Sequence, residues 1–397
     1  MGKTVIPIVA QTDAAPGFSA PPPLSLYVHI PWCVKKCPYC DFNSHERRDE
    51  LPQAEYVNAL IADLESGLPW IWGRQVSSIF IGGGTPSLFA PESFDTLLAA
   101  IRARVALLPD AEITLEANPG TIEAGKFEGF RDAGINRISI GIQSFDVQKL
   151  RSLGRIHSAD EARRAIEMAQ RHFDNINLDL MYALPQQTLS QAQTDIDTAI
   201  GFGTTHLSAY HLTLEPNTPF HHSPPPLPTD DLSADMQEMI ESSLASAGFM
   251  HYETSAFARP GRQCRHNLNY WNFGDYLGIG AGAHGKLTSH AGVVRETRRK
   301  HPREYLQAAS RGEFALERAE VDPQELPFEF MMNALRLCDG FATRLYPERT
   351  GLALSGIQDR LITAQRDGLL QVSSDHIAPT AHGQRFLNAL LRRFLSE

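Results

Sequence analysis

Residues 27–42 read Tyr27-Val28-His29-Ile30-Pro31-Trp32-Cys33-Val34-Lys35-Lys36-Cys37-Pro38-Tyr39-Cys40-Asp41-Phe42, and three of the five cysteines fall inside this stretch with the spacing C-x3-C-x2-C. The β-branched and aromatic run before Pro31 predicts a strand that ends in a loop carrying the thiols. Thiolates gathered on one loop suit zinc or iron, and a loop can wrap a metal without regular backbone pairing. The count of three divides the choices. A structural zinc site is completed by a fourth Cys or His, and an electron-carrying four-iron cluster takes four thiolates. No fourth cysteine lies near. A cubane held by three thiolates leaves one iron open to a ligand, whereas zinc would have to recruit a residue such as His29. His29 alternates with Tyr27 on the predicted strand, which suits a packed or supporting histidine better.

The 397 residues are enough for one large domain and a smaller one. With 42% hydrophobic and 21% charged residues the composition is that of a soluble globular chain. A net charge of −10 argues against nucleic acid as the main partner. An odd number of cysteines concentrated in one loop is not a disulfide framework and favours a reducing compartment, the cytoplasm. No stretch is apolar for the roughly 18 residues a membrane span needs. Residues 1–24, ending near Pro21-Pro22-Pro23, read as a flexible Pro/Ala-rich leader without the unbroken apolar stretch of a secretory signal.

Beyond the leader, short β-rich runs alternate with amphipathic helical patterns up to about residue 250, the signature of repeated βα units. Strands are expected at 26–30, 77–81, 113–117, 137–142, 176–180 and 206–210. Tyr56, Val57, Leu60, Ile61 and Leu64 keep helical spacing, as do Phe94, Leu97, Leu98 and Ile101 behind Pro91. Ser158 with Glu161 forms a capping-box pattern. Six such units predict an α/β fold, a partial (β/α)6 TIM-like barrel over residues 25–250.

Barrel chemistry collects where strands end in βα loops. The second strand runs into Gly82-Gly83-Gly84-Thr85-Pro86, where glycines let a ligand approach the backbone. The third, fourth and fifth place Glu116, Gln143 and Asp179 near their ends among apolar neighbours. Buried carboxylates without partners are costly, so a cationic or hydroxyl-rich ligand is expected beside them. Arg155, in Gly154-Arg155-Ile156-His157, suits either a ligand carboxylate or a surface salt bridge.

Taken together, YVHIPWC…CPYCDF, FIGGGTPS, LEANPG, SIGIQSF, GRIH and NLDLMYALP resemble one branch of the radical S-adenosylmethionine (SAM) superfamily. That branch contains oxygen-independent coproporphyrinogen III oxidase and the HemW-type haem chaperones. The resemblance runs from about Leu24 to the C-terminus. It implies a [4Fe–4S] cluster on Cys33, Cys37 and Cys40. It also implies SAM held by Tyr27, Tyr39, Gly83, Gly84, Thr85, Glu116, Gln143, Arg155 and Asp179. The oxidase pattern carries a further cysteine two residues after the third, where this chain has Phe42, and an ordered N-terminal extension that the leader does not match. Both departures favour the chaperone branch.

A later stretch points the same way. HNLNYW, residues 266–271, resembles the chaperones' HNxxYW motif, which implies His266 as a haem ligand flanked by Tyr270 and Trp271. It is followed by Gly274-Asp275-Tyr276-Leu277-Gly278-Ile279-Gly280-Ala281-Gly282-Ala283-His284. Residues 251–320 are expected to extend the barrel around this motif. Arg295–Arg303 is the one basic cluster, read either as a solvated loop or as a contact for haem propionates or an acidic partner. Residues 321–397 are expected to form a small winged-helix-like α+β domain. Its helices are predicted at 325–337, 352–366 and 381–394, with a hairpin at 369–372 and 376–379.

The resemblance implies a haem chaperone that passes haem to haem-requiring apoproteins, membrane respiratory proteins among them, from the cytoplasm or the membrane periphery. No catalytic residue is assigned. Oligomeric state is not set by these residues, dependence on the cluster being one reading. The rival enzyme reading is a radical SAM decarboxylase acting on coproporphyrinogen III. A zinc-stabilised binding module is the third, and predicts colourless protein.

Overall fold

The computed structural model describes residues 17–18, 20–121 and 126–396. The expected leader falls largely outside them. Six strands, β1 (Leu24–Ile30), β2 (Gln75–Gly83), β3 (Ala106–Ala117), β4 (Arg137–Gln143), β5 (Ile176–Tyr182) and β6 (His206–His211), pair in that order, all parallel. Helices connect them, among them Gln53–Ile71, Pro91–Arg104 and Ala159–Gln170, the last opened by the expected Ser158–Glu161 capping box. Alternation decides which way β1 faces. Leu24, Leu26, Val28 and Ile30 are buried in the core that holds Tyr56, Leu60 and Leu64. Ser25 and Tyr27 take the opposite face, where Ser25 meets Ser78 at 2.7 Å and the Tyr27 ring stacks on Phe80.

The barrel stays open. Beyond β6 come β7 (Met250–Glu253) and β8 (Ala256–Ala258), both antiparallel additions at one edge. At the other edge β9 (Asp275–Ile279) pairs parallel with β1. There β10 (His284–Ser289), β11 (Gly292–Arg298) and β12 (Ala315–Glu320) continue antiparallel, giving a twelve-stranded sheet.

The basic cluster is corrected here: it is not a solvated loop, because its first half is the end of β11. Arg298 is buried against Asp63 at 2.8 Å, and Arg295 is 2.6 Å from Glu329 and 2.8 Å from the Tyr276 hydroxyl. Burying Arg298 is tolerable only because it meets a carboxylate, and Arg295, about a third exposed, is held by Glu329 and Tyr276.

The C-terminal unit builds its own core from Phe330, Tyr346, Ile357, Leu361, Ile377, Leu390 and Phe394. The expected hairpin pairs Leu370–Val372 with His376–Pro379, and Phe341–Ala342 adds a third strand on its far side. The helix expected at 352–366 begins as a 3-10 turn at Leu354–Ile357 and is α-helical over Gln358–Arg366. That expected at 381–394 is interrupted at Phe386, whose φ of −110° and ψ of 37° leave the helical region, and resumes at Leu387–Leu391. The unit braces both edges of the open sheet. Phe273 and Val293 join its core, while the Cys338 N–H donates to the Tyr252 carbonyl and Glu253 bridges Leu337.

Candidate cluster and ligand site

After β1 the chain turns at Pro31 into the cysteine loop, whose two ends are pinned by a short ladder pairing Trp32–Cys33 with His45–Glu46. The Gly84 and Thr85 N–H groups donate to the carbonyls of Ile30 and Trp32, so the loops after β1 and β2 close on each other. Glycine is required at that contact, since a Cβ on Gly84 would lie 2.5 Å from the Trp32 carbonyl oxygen.

The loops at the carboxyl ends of β1 to β6 enclose a cavity of about 330 Å³. Cys33, Cys37 and Cys40 line it, with Tyr39, Gly83, Gly84, Thr85, Glu116, Gln143, Arg155 and Asp179. Eleven of the thirteen candidate residues thus share one chamber. Tyr27 and His266 do not line it. Tyr27 lies a layer deeper, its hydroxyl 3.0 Å from His29 Nδ1, while His29 Nε2 is 2.9 Å from the Asn43 carbonyl. His29 is therefore a packed histidine, and burial pushes its pKa down to about 4.

The chemistry of the chamber follows from what its groups lack. Thr85 Oγ1 donates to Cys33 Sγ at 3.6 Å and Arg155 to Cys37 Sγ at 3.7 Å. Burial raises the Cys33 and Cys40 thiols above their ordinary range, so metal binding there must release protons. Gln143 sits in the left-handed region at φ 63°, and its Oε1 is buried without a partner, as is Arg155 Nε. Buried polar atoms without partners are rare, and strained backbone concentrates at functional sites.

Burial and then the nearby Asp179 charge push Glu116 up to about 8, although the Gly83 N–H at 3.1 Å pulls it back. Burial raises Asp179 too, against donors from Ser139 and Asn177. Two carboxyl groups denied water on one wall fit a cationic ligand with hydroxyls. Arg155, bonded to Asn118 and the Gly141 carbonyl, lines the chamber rather than the surface.

A pH dependence follows. Glu116 has a folded pKa above its unfolded one, so it favours the fold fully below about 4.5, and that contribution is lost as pH rises through about 8. Ligand-free Glu116→Gln should therefore lose less stability over this interval than the parent, measured by chemical unfolding. A cation should bind the parent more tightly as pH rises toward 8, by at most about tenfold per unit, with a flatter profile in Glu116→Gln.

Further lining residues went unmarked in the sequence: Asn118, Ser139, Tyr210, His211 and Glu215. Tyr210 and His211 end β6 and Glu215 follows it, so the strand-end rule used for the other strands would have found them.

Helix Arg265–Trp271 carries the HNLNYW motif and packs against β1 and β2 on the inner face of the sheet. Glu112 accepts from the Arg265 and His266 N–H groups at its start, at 2.9 and 3.3 Å. His266 is 1% exposed, with Nδ1 3.1 Å from Ser78 Oγ and Nε2 2.9 Å from the Tyr270 hydroxyl. Burial, with help from Arg137, pushes it down to about 3. Both ring nitrogens are engaged in this conformation, so iron bound at His266 would replace one of these partners.

A parallel β/α sheet with three thiols, a glycine loop and buried carboxyls at its carboxyl end defines a radical SAM protein. The sequence profile of the radical SAM superfamily matches residues 27–199, and that of the HemN C-terminal domain matches 321–386. The coproporphyrinogen III oxidase HemN of Escherichia coli shares the fold, with a TM-score of 0.79 over 94% of this chain and 90% of that one at 23% identity. The heme chaperone HemW of E. coli strain K12 is 50% identical over 95% of this chain and 99% of its own length. That of Haemophilus influenzae is 48% identical, and that of Bacillus subtilis 33%, each over 99% of its own length. The chain belongs to the HemW heme chaperone family. Radical SAM membership brings a [4Fe–4S] cluster and SAM, and the donor set fits both: three thiols for the metal, and two buried carboxyl groups with the unpartnered Gln143 amide oxygen for a cationic ligand. Among the described residues, no helix is long and apolar enough to cross a membrane.

Proposed function

We propose that this chain binds haem and hands it to haem-requiring apoproteins, membrane respiratory proteins among them, at the cytoplasmic side of the membrane. Near-full-length similarity to relatives named heme chaperones carries the reading. Cys33, Cys37 and Cys40 would hold the cluster. Tyr39, Gly83, Gly84, Thr85, Glu116, Gln143, Arg155 and Asp179 would hold SAM, with Tyr27 supporting them from the layer below. Bound there, the cluster and SAM supply one-electron chemistry at the chamber. The chain's residues keep that chamber dry, place a cation-binding wall opposite the thiols and aim Arg155 at an anionic group. Haem would bind on the side of the HNLNYW helix and the strands packed against it.

Ferric haem titrated into anaerobically reconstituted protein should saturate at one equivalent, with a Soret band that moves from that of free haem. A titration with no shift refutes the reading. The HemN-like fold supports a second reading, oxidative decarboxylation of coproporphyrinogen III. Against it stands Phe42, exposed at the chamber mouth where the oxidase pattern has a cysteine. Formation of protoporphyrinogen IX under reducing conditions with SAM would establish it.

A further inference from the structure

Resting on the reading that Asp179 holds SAM, we propose that His206, with Asn177 and Tyr252, is a positioning residue for that ligand. The three form a one-way hydrogen-bond relay that presents the Asp179 carboxylate to the chamber as an anionic acceptor. A row of side chains points to it. Glu116, Ser139, Asn177 and His206 are register partners across β3, β4, β5 and β6, so all four enter the barrel interior at one level. Such layers are ordinarily filled by branched apolar residues. Here every member is polar, and Ser139, Asn177 and His206 are buried. Ser139 and Asp179 line the chamber, whereas Asn177, His206 and Tyr252 lie behind it. Apolar groups of similar volume would fill that space at less cost, so the row calls for a use.

The direction of the relay follows from its first donor. At the start of the HNLNYW helix the Cys264 N–H donates to the Tyr252 hydroxyl oxygen at 3.3 Å, and a backbone N–H can only donate. The Tyr252 O–H then donates to its one other partner among the described residues, His206 Nε2 at 2.8 Å. Burial, with help from Arg137, lowers the His206 pKa, so the ring is neutral and its proton sits on Nδ1. From there it donates to Asn177 Oδ1 at 2.6 Å, which also accepts from Ser208. That fixes the amide. Asn177 Nδ2 is turned to Ser139 Oγ at 2.7 Å and to Asp179 Oδ1 at 2.8 Å.

Ser139 completes the set by donating to Asp179 Oδ2 at 2.7 Å. Each oxygen of Asp179 therefore meets a donor, which favours the ionised carboxylate against the burial that opposes it. Turning one member round would set lone pair against lone pair. Tautomer, amide and carboxylate thus hold one another in place, and Asp179 keeps its remaining lone pairs for a cationic, hydroxyl-bearing ligand.

The test is SAM binding to the anaerobically reconstituted full chain without reductant, by equilibrium dialysis, in the parent, Asp179→Ala, His206→Leu and His206→Gln, each with its unfolding midpoint. His206→Leu can neither donate nor accept, and should weaken SAM binding about tenfold, the scale of one hydrogen bond to a charged group. His206→Gln keeps a donor for Asn177 and an acceptor for Tyr252, and should stay within about threefold of the parent. A space-filling role alone would lower the midpoint of His206→Leu and leave its SAM affinity unchanged, which overturns the proposal, as does equal loss in the two His206 variants. NMR of the same parent protein with isotope-labelled histidine reads the tautomer directly. An Nδ1–H ring is expected for His206, assigned by its absence from His206→Gln. An Nε2–H or doubly protonated ring refutes the relay, even where His206→Leu does not fold. If the parent binds no SAM, or Asp179→Ala binds it as the parent does, the reading of the ligand wall fails and the relay with it. Loss in Asp179→Ala with none in His206→Leu removes the relay alone.

Discussion

Changing any one of Cys33, Cys37 and Cys40 to alanine is expected to leave anaerobically reconstituted protein without its brown chromophore, with iron and sulfide at background. Cys264→Ala and Cys338→Ala should keep both. The asymmetry rests on surroundings, since all five cysteines are free thiols. The first three line one chamber where Thr85 and Arg155 donate to sulfur, which favours thiolate once metal displaces the protons. Cys264 is buried beside Glu112, and its thiol is pushed up to about 12 by burial. Cys338 is pushed up to about 12 in the same way, far from the chamber in the C-terminal unit. With three protein ligands there is no spare: removing one leaves a second iron without a tether, and the cluster is lost rather than weakened. Retention of the chromophore in any of the three variants would remove that cysteine from the ligand set. A colourless parent that binds zinc would return the site to the structural-metal reading.

Much of this architecture was legible because short-range patterns fixed it. Each of the six expected barrel strands lies within an observed strand, since β-branched runs bounded by Gly, Pro and Asn have few other ways to bury themselves. The chamber was legible for a second reason. Once strand order is known, polar residues at successive strand ends converge, which brought Glu116, Gln143 and Asp179 together without any contact being read from sequence. Features set by distant partners were not legible. Arg295 and Arg298 look solvated in a basic run, and only the fold reveals Glu329 and Asp63 beside them, the latter 235 residues away. The strands of the 275–320 region escaped notice because glycines and charges dilute their alternation. Nothing in HNLNYW announces that the His266 ring meets Ser78, 188 residues upstream. The helix expected at 381–394 has a continuous helical pattern, and its break at Phe386 serves a packing need, bringing Leu390 and Phe394 into a core assembled from the whole C-terminal unit.

The largest loss of stability is expected from Asp275→Ala, about 3–5 kcal/mol by chemical unfolding. Asp275 is fully buried at the start of β9, directly after the HNLNYW helix. Its carboxylate receives Lys286 Nζ at 3.0 Å, Arg74 at 2.9 Å, and the Thr288 N–H and hydroxyl at 2.8 Å each. The partners differ in what they can do once it is gone. Arg74 keeps some contact with water, its side chain 13% exposed, and still donates to the Pro22 carbonyl. Lys286 has no such exit. Its side chain is 1% exposed, and only the Phe273 and Gly274 carbonyls, Thr288 and the face of Phe273 would remain around it. Burial already lowers its pKa, and removing the carboxylate that opposes this leaves it either charged without a counter-ion or deprotonated at neutral pH. The cost therefore belongs to the stranded cation more than to the lost hydrogen bonds. It follows that Asp275→Leu with Lys286→Met should recover most of the loss, because apolar groups of similar volume need no counter-ion. The same network anchors β9 and β10 to the turn that ends the HNLNYW helix, so haem affinity should fall in the single variant and return in the double one. A double variant no more stable than Asp275→Ala would mean that the carboxylate's own hydrogen bonds to Thr288 and Arg74, rather than charge balance with Lys286, hold this corner of the sheet together.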